Sequence, residues 1–61
     1  MNQVRVTIQL NEFQITAEEA ALLEALDATD IVQTSFVATA TVPEDKIEEI
    51  RKLPFVKEVR Q

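Results

Sequence analysis

From Val4 the chain alternates, with Val4, Val6, Ile8 and Leu10 on one side and Arg5, Thr7 and Gln9 on the other. A period of two with polar outer positions predicts a half-buried strand of an antiparallel or mixed sheet. The segment Asn11-Glu12-Phe13-Gln14-Ile15 keeps neither a strand nor a helix period. Phe13 and Ile15 fit a short returning strand, or a loop that seals over the next element; the loop is the favoured reading.

Thr16 followed three residues later by Glu19 is the signature of a capping box, in which two orphan backbone N–H groups are satisfied reciprocally. Ala17 to Leu26 are almost all strong helix formers, and Leu22, Leu23 and Leu26 supply an apolar stripe. The helix is expected to end between Asp27 and Thr29, where polar residues stand in for the usual C-terminal glycine.

Asp30 to Val42 is a β-rich run of thirteen residues, too long for one ordinary strand of about five or six. A break near Thr34-Ser35 divides it into a short strand and a longer one. In the second, Phe36, Ala38, Ala40 and Val42 are expected to face inward, and Val37, Thr39 and Thr41 outward. Pro43 suits a first helical turn, and Pro54 stops the helix it starts. Between them Ile47, Ile50 and Leu53 form the buried stripe, with Glu44 and Asp45 at the positive end of the helix dipole and Arg51 and Lys52 at the negative end. Glu48 and Lys52 form a favourable i, i+4 pair. Phe55 to Gln61 reads as a closing strand. The order is β-α-β-β-α-β in one domain over residues 1–61: an α+β layer with two helices packed on one face of a mixed or antiparallel sheet. Leu23, Leu26, Phe36, Ile47, Ile50, Val6 and Ile8 are the expected core.

Composition narrows the function. The chain has no Cys, His, Trp, Tyr or Gly. That excludes disulfide staples, thiolate zinc sites, cysteine nucleophiles, imidazole bases and glycine-rich phosphate loops. The net charge of −5 argues against nucleic acid, whose binding rests on neutralising phosphate with Lys and Arg. No apolar run approaches the roughly 20 residues of a membrane span, no signal peptide is visible, and the helices have no basic face for a membrane surface. The neighbouring acids Glu18/Glu19, Glu44/Asp45 and Glu48/Glu49 point about 100° apart on a helix and read as solvated charges. Glu44/Glu48 and Asp45/Glu49 share faces, yet a calcium site wants six or more oxygens from a shaped loop. Ser35 has no base beside it. The reading is therefore not an enzyme, with no catalytic residues, no metal and no cofactor.

Charge is uneven: residues 1–49 hold ten acids against Arg5 and Lys46, and the last twelve hold four bases against Glu58. Helix dipoles account for part of this; a basic C-terminal edge meeting an acidic partner is the alternative. The outer sheet side, made of Arg5, Thr7, Gln9, Val37, Thr39 and Thr41, is semi-polar and rich in hydroxyl groups, fitting a solvated face or a protein-binding one.

Ala38 to Val59 resembles the C-terminal half of subtilisin propeptides and the free inhibitors related to them. A strand of small and apolar residues ending in Val42 leads into an acidic helix start at Glu44 and Asp45. Ile47 and Ile50 follow three apart, then basic Arg51 and Lys52, Pro54, and a closing Val56-x-x-Val59. The likeness runs without gaps over about 22 residues; the first strand and helix agree in type and order. The chain departs from the family pattern at Val37, where a Gly is usual, and at Phe55, where a Gly or Asp is usual. The run from Asp30 to Val42 is also several residues shorter. The resemblance implies a stand-alone inhibitor-like or orphan domain that binds and inhibits, or assists the folding of, a subtilisin-type serine protease. It implies binding through Arg5, Thr7, Gln9, Val37, Thr39 and Thr41, with Glu58, Val59, Arg60 and Gln61 as the tail that approaches the cleft.

A second reading is a small self-associating structural or regulatory domain of ferredoxin-like type, a homo-oligomer. For it, Val37 or Phe55 is expected on an exposed apolar patch. The absence of Gly, against about 7% in ordinary chains, keeps open a third: an engineered scaffold without a natural partner.

Overall fold

The computed structural model of the chain describes residues 2–61. Strand β1 (Gln3–Leu10) is followed by helix α1 (Ala17–Ala25), strands β2 (Thr29–Thr34) and β3 (Val37–Pro43), a 3₁₀ turn (Glu44–Lys46), helix α2 (Ile47–Arg51) and strand β4 (Val56–Arg60). The four strands form one open sheet in the order β2-β3-β1-β4, with every neighbouring pair antiparallel. The fold is thus α+β, with its first and last strands side by side and β1 bonded on both flanks.

The period-two pattern of β1 sets the layers. Val6, Ile8 and Leu10 are buried, and their cross-strand partners Ala40, Ala38 and Val56 are buried with them. Leu23 from α1, Ile47 and Ile50 from α2, and Phe55 and Val59 complete a single apolar cluster. Both helices therefore cover the same side of the sheet. The segment Asn11–Ile15 is a loop, tied down at both ends. Asn11 donates its N–H to the Phe55 carbonyl at 3.0 Å, the Ile15 N–H donates to Gln33 Oε1 at 3.2 Å, and the Phe36 N–H donates to the Phe13 carbonyl at 2.9 Å.

The capping box at Thr16 forms as the sequence indicates: Thr16 Oγ1 accepts from the Glu19 N–H at 3.2 Å, and Glu19 Oε1 accepts from the Thr16 N–H at 2.8 Å. The helix ends earlier than expected, at Ala25, in a Schellman motif. The Asp27 N–H bonds to the Glu24 carbonyl and the Ala28 N–H to the Leu23 carbonyl, with Asp27 at φ 65° where glycine is usual. Ala28 and Leu23 are both buried, the hydrophobic contact that accompanies this cap. Only Leu23 of the expected leucine stripe is fully buried; Leu26 is partly so and Leu22 is 47% exposed.

Four further expectations are corrected. The Pro43–Pro54 helix is a 3₁₀ turn and five residues of α-helix, because the chain unwinds at Lys52 two residues before the proline. Its ion pairs are Glu48–Arg51 and Lys46–Glu49, both three apart, in place of Glu48–Lys52. Phe36 is 53% exposed, since Thr34 pairs with Val37 and leaves Ser35 and Phe36 as the turn, where φ 62° swings the ring out. Phe55, expected on an apolar patch if Val37 was not, is 4% exposed and part of the core, and Val37 is half-buried.

Candidate protein-binding face

The side of the sheet opposite the helices is assembled by register alone. Arg5 lies opposite Thr41, Thr7 opposite Thr39, and Gln9 opposite Val37. Directly opposed residues of an antiparallel pair share a face, so all six residues expected on the outer side come together there. The flanking strands extend it. Thr7 also faces Arg60 and Gln9 faces Glu58 across β4, while Thr39 faces Val32 and Val37 faces Thr34 across β2. One row thus runs Val32, Thr39, Thr7, Arg60 over all four strands.

The residues of the expected tail divide. Glu58 and Arg60 reach this face from inside β4 and pair with each other, and the hydrogen bond from Arg60, then its charge, hold the Glu58 carboxyl below the usual carboxylate range. Gln61 follows the strand and is exposed. Val59 is not available to a partner: it faces Ile8 across the pairing, is 3% exposed and belongs to the core. Strand alternation forces this, because Glu58 and Arg60 cannot both point outward unless Val59 points in.

Arg5 is held in place more firmly than its sequence context suggests. Its guanidinium reaches across β3, donating from Nη2 to Thr39 Oγ1 at 2.9 Å and from Nη1 to Thr41 Oγ1 at 3.1 Å and to the Asp30 carbonyl at 2.8 Å. That carbonyl is supplied by a bulge. Between the pairs Thr29↔Thr41 and Val32↔Thr39, β2 carries one residue more than β3, and Asp30 sits there at φ 51°. The threonines and the bulge therefore orient one cation on an otherwise hydroxyl-bearing surface. Asp30 was not a sequence candidate for this face. The available signal was a lone arginine among polar strand positions, with an Asp, which tolerates positive φ, at the start of the other β-rich run.

Among the described residues no pocket opens, no group of three metal-ligating side chains converges, and no helix is long and apolar enough to cross a membrane. What the arrangement offers is an open surface of hydroxyl, amide and guanidinium groups. No family model, no curated protein and no solved structure matches the chain.

Proposed function

We propose that the domain is a non-enzymatic protein-binding module that meets its partner with the uncovered sheet face. The carrying observation is that Arg5, Thr7, Gln9, Val37, Thr39 and Thr41 share one side of the sheet while both helices cover the other. Arg5, tethered at three points, loses little freedom when a partner arrives, which lowers the cost of binding. The partner class is a subtilisin-type serine protease. Support for it is the resemblance of Ala38–Val59 to subtilisin propeptides, together with an open antiparallel sheet that leaves one side uncovered by the helices. In this reading the sheet face supplies affinity, and Glu58, Arg60 and Gln61, at the end of β4, approach the cleft.

The test is a time course of subtilisin activity with excess domain, followed in parallel by mass spectrometry of the domain. Inhibition at micromolar concentration that fades as the domain is cleaved is the expected result. Thr39→Arg, which places a second cation beside the Arg5 guanidinium, should weaken inhibition while the circular dichroism spectrum is kept. Full protease activity beside an intact domain would remove the protease from consideration.

A further inference from the structure

We propose that the open sheet face takes an acidic protein surface, one carboxylate of which docks on the Arg5 guanidinium beside Thr39 and Thr41. This rests on the face being a protein-binding one and names the chemistry of its partner. Arg5 is oriented without being neutralised. Its three acceptors are the hydroxyls of Thr39 and Thr41 and the Asp30 carbonyl, none of them charged. The ion pairs among the described residues are Lys46–Glu49, Arg51–Glu48 and Arg60–Glu58, and Arg5 is in none of them. A guanidinium has five N–H donors. Nη1 spends both of its hydrogens and Nη2 one, which leaves Nε–H and one Nη2 hydrogen on an exposed side chain. Two such donors suit a carboxylate, which Arg binds through paired, charge-assisted bonds. Each threonine oxygen that accepts from Arg5 also keeps its own O–H to donate.

Charge selects the occupant. Of the eleven acids only Asp30 and Glu58 stand on strands, against the three strand bases Arg5, Lys57 and Arg60. The sheet therefore carries +1, while the other nine acids against three bases leave the helices, turns and loops at −6. The helices cover one side of the sheet, so the open side is the positive end of a strongly polarised molecule. An acidic surface is repelled from the helices and admitted at the sheet, which orients its approach. Nucleic acid is a poor fit to the same face, because it needs several bases to neutralise phosphates and Arg60 there is already paired with Glu58.

The test is a nuclear magnetic resonance titration of the isotope-labelled domain with a short peptide of alternating Glu and Ser, beside the same peptide with Gln for Glu. The Arg5 Nε–H signal and the amide signals of Thr39 and Thr41 should move with the Glu peptide at millimolar concentration and stay in place with the Gln one. Arg5→Gln should weaken binding about tenfold, the loss of hydrogen bonds to a charged group. Lys52→Gln, which changes the net charge equally at the end of α2, should leave binding as it was. An Arg5 signal that does not move in the parent overturns the inference, whatever the variants do to the fold. So do shifts spread evenly over the other bases, an equal response to inorganic phosphate, or an equal loss in Lys52→Gln. The protease reading fails separately: subtilisin left fully active by a parent whose Arg5 signal moves would remove the protease and keep the acidic docking point. Subtilisin inhibition that persists in Arg5→Gln beside an unmoved Arg5 signal would do the reverse.

Discussion

Among the described residues three sit at positive φ, in a chain without glycine: Asp27 at 65°, Asp30 at 51° and Phe36 at 62°. Asp tolerates this region because its short polar side chain bonds locally, whereas for a bulky residue such as Phe it is a genuine outlier. Phe36 is held there by two main-chain bonds, its N–H to the Phe13 carbonyl and its carbonyl to the Leu10 N–H, and by an edge-to-face contact with the Phe13 ring at 5.6 Å. Asp27 makes one main-chain bond, its N–H to the Glu24 carbonyl, which a glycine keeps. Asp27→Gly should therefore raise stability by about 1 kcal/mol, moving the thermal midpoint up by roughly 4–8 °C in a domain of this size; a midpoint that falls would show that Asp27 has a role beyond its backbone angle. The carboxyls around the first helix respond to pH in opposite senses. Hydrogen bonding from the Thr16 backbone, then from Glu12, holds Glu19 below its ordinary value, so its contribution is present at neutral pH and is lost as pH falls through the lowered value. Glu12, hydrogen-bonded to Glu19, is raised, so its contribution is present in acid and is lost as pH rises through the raised value. Glu12→Gln keeps a donor for Glu19 without the second charge. It should melt above the parent at pH 7 and level with it at about pH 3.5, below the ordinary carboxylate value, as followed by circular dichroism at the two pH values.

At the scale of elements, the two helices are unequal. Helix α1 is capped at both ends by local hydrogen bonds, yet it enters the core chiefly through Leu23. Helix α2 has only five α-helical residues and no side-chain cap, and both Ile47 and Ile50 are buried. Its existence thus depends on packing more than on propensity, as expected for a helix too short to be stable alone. Ile50, with no exposed surface, is the residue that anchors it. Removing one methylene by Ile50→Val should cost about 0.5–1.5 kcal/mol, read as a lower urea midpoint with an unchanged slope. Ile50→Ala should cost about 2–5 kcal/mol, which rivals the ~3–5 kcal/mol that a core this small supplies. A valine variant with the parent's midpoint would place Ile50 outside the energetically important core.

The whole molecule is an asymmetric sandwich. One sheet side is buried under two helices, the other is open and anchored by Arg5, and the two edges differ in charge. An excess of five negative charges works against any contact between copies, and added salt screens it, with the Debye length shrinking from about 30 Å at 0.01 M to about 3 Å at 1 M. Any self-association of the domain should therefore tighten as salt rises, read by sedimentation equilibrium at low and high salt. Weakening by salt in that experiment would mean that ion pairs carry the contact.

What depended on neighbours along the chain could be read from the residues. The alternation of Val4 to Leu10, the Thr16–Glu19 box and the two-way division of Asp30–Val42 all match the structure, because strand faces, caps and breaks arise within a few positions. The shared face of Arg5, Thr7, Gln9, Val37, Thr39 and Thr41 was legible for the same reason: once two strands are known to alternate, their polar sides can only lie together or apart. The tertiary structure decided what rests on register and on single backbone angles. Pairing Thr34 with Val37 consumed Phe36 in the turn and turned it outward. Burial of Phe55 follows from how the chain leaves α2, which no periodicity records. The reach of Arg5 to Asp30, twenty-five residues away, exists only because an extra residue in β2 presents a carbonyl to it. Side-chain direction at such points is set by contacts between distant segments, and local propensity holds no information about which segments meet.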